Sequence, residues 1–169
     1  PDAEALHENF WRTEPDYQEA LDELARGLGL ELDAVTLTVE CAVALEDRDL
    51  GFIQIDAGTV SGVDLIWSGI CAGNEVAVMR NTWTLGGALG FTQDPEWPIF
   101  YGYKIKVDGD PNVSLKLAFR PVDLASFDIG TTTAMPAINA VPAVVAASAG
   151  VLSLTQLPIV TGRGMPRPA

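Results

Sequence analysis

The sequence predicts an α+β domain: an antiparallel or mixed sheet of about five to six strands, with helices packed on one face. Three observations support this class. An early segment has helical spacing of apolar residues, several later segments alternate with a period of two, and a charge-free, Ala-rich segment follows them. The 169 residues, 48% of them hydrophobic, are enough to bury a core of this kind.

The first helix is predicted for residues 13–28. Its apolar residues Tyr17, Leu21, Leu24 and Leu28 are spaced four, three and four apart, which places them on one side of a helix. Thr13 is suited to cap its start, and the glycines near residue 28 are suited to end it. We therefore divide the chain into a helical lead-in, residues 1–32, and a sheet with its closing helix, residues 33–169.

The sheet is predicted from alternating segments. Residues 35–45 form a long strand, and strands near 59–69 and 75–84 form a hairpin with Gly73-Asn74 as its turn. A second hairpin joins residues 101–107 to 113–119, with apolar side chains on one face and lysines on the other. We expect the helices to close one face of this sheet and a second copy of the chain to cover the other.

The charge-free segment, residues 129–162, has two possible structures. It is long enough to cross a bilayer, but its three prolines and its polar side chains disfavour a membrane span. A buried helix from about 132 to 147, covering the sheet or lying between two domains, explains it better. We therefore expect no membrane partner.

The charge balance excludes other functions. The chain has 10 Lys and Arg against 23 Asp and Glu, a net charge of −13, which opposes binding to nucleic acid. Two cysteines with no neighbouring metal ligands are expected to be reduced core residues, and no motif predicts a metal site. The amino terminus is acidic rather than basic, unlike a signal peptide, so we expect a cytoplasmic protein.

Catalytic motifs give no acid, base or nucleophile. The single histidine, His7, has no patterned serine or cysteine near it, and the glycine cluster at 86–90 is not a G-x-G-x-x-G turn. The polar residues of the apolar helix, Thr131, Thr133 and Asn139, leave two possibilities open. They either bond to nearby backbone as caps, or they point at a ligand at the helix start. Two positions are likewise possible for Trp11, one in the core and one in the wall of a pocket.

An ordered set of short motifs carries a resemblance to a known family. In chain order they are GTVSG at 58–62, WSG at 67–69, NTW at 81–83, DPEWP at 94–98, VDGDP at 107–111 and TAMPAINAVP at 133–142. Together they resemble the carboxy-terminal domain of dihydrodipicolinate-reductase-like dehydrogenases, and within them the NAD(P)-dependent 2,4-diaminopentanoate and amine dehydrogenases.

The resemblance implies a function and a missing part. Such enzymes have an amino-terminal Rossmann domain that binds NAD or NADP, and a carboxy-terminal domain whose sheet forms the subunit interface and whose edge closes over the substrate. The chain then corresponds to the substrate-binding and oligomerisation half of an oxidoreductase acting on an amine, imine or related carbonyl compound. We expect it to be a fragment that is inactive alone, with the Rossmann domain, a small-molecule substrate and further copies of itself as partners.

The resemblance also implies site residues, although the catalytic residues cannot be named. Trp11, Tyr17, Thr131 and Thr133 are expected to bind substrate, and Asn139 to contact the cofactor. One departure is Pro136, which follows Met135 where similar sequences often carry arginine, so an anion contact is not expected there. The alternative function, from the residues alone, is a non-catalytic sheet domain that binds an apolar ligand or a partner protein.

Overall fold

The computed structural model describes residues 15–85, 97, 101–119 and 129–160, without the side chains of residues 15, 16, 129, 131 and 132. The helices are α1 (Pro15–Gly27) and α2 (Ile129–Ala146), followed by a 3₁₀ turn, Leu154–Gln156. The strands are β1 (Ala34–Val43), β2 (Arg48–Asp49), β3 (Gln54–Ile55), β4 (Val60–Cys71), β5 (Asn74–Thr84), β6 (Gly102–Val107) and β7 (Val113–Ala118).

The predicted α+β class is confirmed. Within the described ranges the seven strands form three sheets, in the orders β1-β4-β5, β2-β3 and β6-β7. The first two sheets pair antiparallel throughout. The chain divides into two compact units, Pro1–Lys116 and Leu117–Ala169. The first unit holds α1 and β1 to β6, the second holds α2 and the 3₁₀ turn, and their boundary falls within β7.

Helix α1 ends in a Schellman motif. Leu30 N–H donates to the Ala25 carbonyl at 2.9 Å, Gly29 N–H donates to the Arg26 carbonyl at 3.0 Å, and Gly29 has φ +76°. Glycine is favoured there because other residues are strained at positive φ. The predicted cap Thr13 lies outside the described residues.

The buried side of α1 differs from the predicted one. Leu21 and Ala25 are each 1% exposed, whereas Leu24 is 50% and Leu28 is 64% exposed. The helix contacts β4 and β5. Because Ala25 is small, it lets the helix axis approach these strands closely, and the buried stripe is rotated away from the two leucines.

The three-stranded sheet has two chemically different faces, set by its register. Leu37 pairs with Trp67, which pairs with Met79. These residues lie on what we call the helix face, where Leu21, Leu37, Leu65, Trp67 and Ala77 form the core with Tyr17 and Leu32 packed against it. The other side, here the polar face, carries side chains from the alternate positions. They are Thr36, Thr38, Glu40, Asp64, Ile66, Ser68, Val78, Arg80, Thr82 and Thr84.

The turn between β4 and β5 lies one residue earlier than predicted. Cys71 pairs with Asn74, so Ala72 and Gly73 form the loop, with φ of 49° and 75°. Two positive φ values are what a tight hairpin turn with the sheet's own twist requires. The Asp33 carboxylate accepts the Ala72 N–H and helps hold alanine in this unusual conformation.

Helix α2 begins three residues before the predicted start near 132. Thr131 and Thr132 therefore lie inside the helix rather than at its cap, because helix propensity is a weak guide to the first turn. Pro136 and Pro142 lie within it, as the sequence shows. Neither described helix is both long and apolar enough to span a bilayer.

Candidate functional site

A charged cluster occupies the centre of the polar face. Asp64 on β4 is fully buried, yet its carboxylate is well supplied with donors. Arg80 Nε donates to Oδ2 at 2.6 Å, the Arg80 Nη2 group forms an ion pair with the same oxygen, and Thr82 Oγ1 donates to Oδ1 at 2.8 Å. A buried carboxylate is tolerated when its charge is paired and its oxygens accept hydrogen bonds, as they do here.

The sheet register builds this cluster from all three strands. Glu40 pairs with Asp64, and Asp64 pairs with Thr82, so two carboxylates stand on neighbouring strands. Like charges in that arrangement repel. The Arg80 guanidinium contacts both carboxylates, since it forms an ion pair with Asp64 and its Nη2 lies 4.0 Å from Glu40 Oε2. The hydrogen bond to Asp64 raises the pKa of Arg80 above its ordinary value, and attraction to both carboxylates adds to the shift against desolvation.

One end of the polar face is closed by a tryptophan. Trp97 is only 7% exposed, and its Nε1 donates to Thr84 Oγ1 at 3.0 Å. Its ring lies so close to Gly62 that a Cβ there would be 3.0 Å from Trp97 Cζ2. Gly62 therefore provides the space into which the ring packs. The polar face can bind and orient a polar ligand. Its buried carboxylate, Asp64, already accepts hydrogen bonds from Arg80 and Thr82 and therefore supplies no free general base.

Tyr17 lies on the helix face. It is half-buried, and its ring stacks on Trp67 with centroids 6.0 Å apart and planes at 27°. This contact makes Tyr17 part of the packing around the core. Trp11, the other predicted aromatic wall residue, lies outside the described residues. A substrate contact by either aromatic residue stays a prediction.

The remaining predicted residues belong to α2 in the second unit. Thr133 is exposed, Asn139 is half-buried, and Thr131 lies in the helix with its side chain outside the described set. Six positions separate Thr133 from Asn139, which is about 120° around a helix, so the two do not share one side. Asn139 lies instead beside the half-buried alanines of the same helix, Ala140 and Ala143.

Helix α2 carries polar groups that its own backbone does not satisfy. In the part of the chain that the structure describes, the Asn139 amide makes no hydrogen bond. Pro136 and Pro142 have no N–H, so the carbonyls of Thr132 and Ile138 lose their helical donors. The bond to nearby backbone that one interpretation gave to Asn139 is therefore not seen. The Asn139 amide can therefore bind a group outside the helix.

The described residues provide neither a metal site nor a dinucleotide site. No three potential ligands among them lie together as a metal site, and both cysteines are free thiols. A dinucleotide is held by a glycine-rich turn between a parallel strand and a helix. The described sheets with a defined register are antiparallel, and no strand in the described ranges runs through such a turn into a helix. These residues do not fit a nicotinamide dinucleotide by themselves.

Sequence reasoning missed the residues of the charged cluster. Asp64 and Arg80 were not singled out, and Thr82 and Trp97 were named only as members of the NTW and DPEWP motifs. A single charged residue inside an otherwise apolar strand, as Asp64 is, was the available signal. Its partners depend on the register, which the sequence does not show.

Comparison with known proteins shows what the chain is similar to. A solved structure, the amine dehydrogenase from Mycobacterium smegmatis, is similar in fold, with a TM-score of 0.59 and 20% sequence identity. The match covers 94% of this chain but 44% of that one, so the chain spans less than half the length of this neighbour. No curated protein sequence matches the chain. A family model, the 2,4-diaminopentanoate dehydrogenase C-terminal domain, matches residues 13–164, and the chain therefore belongs to this family.

Proposed function

We propose that the chain is the substrate-binding and oligomerisation half of an NAD(P)-dependent dehydrogenase that acts on an amine, an imine or a related carbonyl compound. The observation that carries the proposal is the family match over residues 13–164, to a domain named for 2,4-diaminopentanoate dehydrogenase. The fold shared with an amine dehydrogenase more than twice as long supports it. The enzyme is then a cytoplasmic homo-oligomer whose catalytic residues include groups from outside this chain.

A Rossmann domain elsewhere in the enzyme would supply the dinucleotide site that the described residues do not provide. Helix α2 is suited to lie against such a domain. Its Ile138, Val141 and Val145 are 57%, 54% and 79% exposed, although the helix carries no charged residue. Exposed apolar surface of this extent is typical of an interface. Asn139 would then contact the cofactor, with Thr131 and Thr133 near the substrate, while Trp11 and Tyr17 provide an aromatic wall.

The first test compares this chain with the same chain joined to a dinucleotide domain. We expect the longer polypeptide to reduce NAD⁺ or NADP⁺, followed at 340 nm, when given 2,4-diaminopentanoate or a small amine. The 169-residue chain alone should give no reduction and bind NADPH no better than background in a fluorescence titration. A dissociation constant of roughly 1 μM or less between this chain and NADPH would contradict the assignment of the dinucleotide site to another domain. Failure of the longer protein on every amine would favour the non-catalytic alternative.

Asn139→Ala tests the assignment of α2. In the longer enzyme we expect kcat/KM to fall about 5- to 150-fold, the equivalent of about 1–3 kcal/mol, because a positioned polar contact is lost. The melting temperature should change little, since the Asn139 amide makes no hydrogen bond within the described structure.

The matched control is Asn74→Ala. Asn74 Nδ2 donates to the Ala72 carbonyl at 3.0 Å in the β4–β5 turn. This variant should lower the melting temperature and leave kcat/KM unchanged. An Asn139→Ala enzyme with the same pattern as the control would remove Asn139 from the site.

A further inference from the structure

We propose that Asp108 is a site of covalent modification, at which isoaspartate forms. Lys106 and Asn112 are the residues that restrain this reaction in the folded chain. The proposal is independent of the proposed function, since it concerns only the loop at 108–112 between β6 and β7. This loop contains most of the VDGDP motif and holds the one Asp-Gly pair of the sequence, which has no Asn-Gly pair.

The reaction uses only groups that the loop contains, together with water. The main-chain nitrogen of Gly109 attacks the side-chain carboxyl carbon of Asp108. A C–N bond forms, the nitrogen loses its proton and a hydroxyl group leaves the protonated carboxyl, so one water is lost. Water then opens the resulting succinimide ring. Opening at the main-chain carbonyl leaves the chain linked through the side-chain carbon atoms, which is isoaspartate. The net change is an isomerisation and needs no oxidant or reductant.

The Asp-Gly pair is open to solvent and uncrowded. The Asp108 side chain is 75% exposed, so water can reach a ring formed there. Gly109 has no side chain to obstruct its nitrogen. A Cβ added to Gly109 would lie 3.8 Å from the Pro111 carbonyl oxygen and 4.0 Å from Val107 Cγ1, both ordinary contact distances. Packing therefore does not protect this pair, and any protection has to come from its polar contacts.

A hydrogen bond opposes the attack by the nitrogen. The Gly109 N–H donates to Asn112 Oδ1 at 2.9 Å. This bond fixes the orientation of the peptide plane between Asp108 and Gly109, and it has to break before the nitrogen can turn to the carboxyl carbon. Asn112 directly precedes β7, so the strand holds the acceptor in place. Loss of one such bond is expected to change the rate about three- to tenfold.

An ion pair opposes the loss of water from the carboxyl group. Lys106 Nζ lies 3.0 Å from both oxygens of the Asp108 carboxylate. The carboxyl has to leave this ammonium group before it can take up a proton and turn toward the nitrogen. Both side chains are about three-quarters exposed, so solvent screens the ion pair. Its effect on the rate is therefore expected to be smaller than that of the hydrogen bond.

The test follows isoaspartate in the 169-residue chain as it ages. Methylation by a protein L-isoaspartate O-methyltransferase with labelled S-adenosylmethionine measures its amount, and electron-transfer mass spectrometry gives its position. We expect it at Asp108, at a rate at least about tenfold higher in guanidinium chloride than in buffer, because unfolding releases both contacts. Asp108→Glu should give no signal, because its longer side chain would have to close a six-membered ring.

Two variants remove the contacts one at a time. In buffer, Asn112→Ala should form isoaspartate about three- to tenfold faster than the parent chain, and Lys106→Gln about twofold faster. Asn112→Asp keeps an oxygen acceptor and should stay close to the parent rate. The matched control is Ser114→Ala, which changes β7, leaves both contacts in place and should react at the parent rate. In guanidinium chloride all four variants should react at nearly the parent rate, because no contact is left to lose.

Three results would overturn the proposal. They are a parent chain that reacts as fast in buffer as in guanidinium chloride, an Asn112→Ala chain that reacts at the parent rate in buffer, and the absence of isoaspartate at Asp108 in the unfolded chain. If circular dichroism shows that Asn112→Ala does not fold, the ion pair decides. Sodium chloride at about 1 M should then accelerate the parent chain but not Lys106→Gln, and an equal response of the two would overturn the proposal.

Discussion

Trp67→Ala is expected to lower the free energy of unfolding by about 3–5 kcal/mol. Trp67 is fully buried at the centre of the helix face, between Leu37 and Met79 of the neighbouring strands, and it supports the ring of Tyr17. Its removal leaves a cavity that β4, paired on both sides, cannot close by moving. Urea unfolding followed by far-ultraviolet circular dichroism measures the loss.

The matched control is Trp83→Ala on the same sheet. Trp83 is 47% exposed, so less apolar surface returns to water and less packing is lost. We expect less than half the effect of Trp67→Ala. Equal losses for the two variants would show that the core is not centred on Trp67.

Arg80→Ala is expected to cost about 2–4 kcal/mol of unfolding free energy. Among the described residues, the variant leaves the fully buried Asp64 carboxylate with the Thr82 hydroxyl as its one remaining donor, and beside Glu40. Breaking a buried ion pair on one side costs about 3–5 kcal/mol, and the value is reduced here because half of the Arg80 side chain is solvated. The same urea unfolding measures it.

Two further variants identify the cause of that loss. Arg26→Ala removes an exposed ion pair with Glu23 and should cost less than about 0.5 kcal/mol. Adding Asp64→Asn to Arg80→Ala should recover at least half of the lost stability, because no charge is then left buried. If the double variant is less stable than Arg80→Ala, the uncompensated carboxylate is not the cause.

The alternating segments of the sequence predicted the main sheet well. Val63, Leu65 and Trp67 share a phase, and the structure places Leu65 and Trp67 in the core as that phase requires. The buried side of α1 was predicted less accurately, because an argument from periodicity assigns the large apolar side chains to the buried side. The structure buries Ala25 instead of Leu24, a choice that depends on how closely the helix approaches the sheet.

The charged cluster could not be predicted because of one irregularity in the β4–β5 hairpin. Counting back from the turn pairs Asp64 with Asn81, but the register shifts by one between Gly69 and Ile70. Asp64 therefore pairs with Thr82. From the shift onward, each β5 side chain lies on the opposite face from the one that a count from the turn assigns to it. Such bulges leave no dependable mark in a sequence.

For the candidate site, sequence motifs were more informative than physical patterns. The motif order indicated the family, which the match over residues 13–164 confirms. In the proposed function, the individual roles of Tyr17, Thr131, Thr133 and Asn139 depend on groups outside this chain, so neither periodicity nor local packing determines them.

Strand β4 has a consequence for engineering this domain. It is the middle strand of its sheet, and none of its twelve residues is exposed. One side of it holds the core and the other holds the charged cluster, so random mutagenesis in β4 would mostly yield unfolded variants. Helix α2 is the opposite, since most of its described side chains are accessible. A mutant library of this chain would therefore retain more folded variants if its diversity were placed in α2 and kept out of β4.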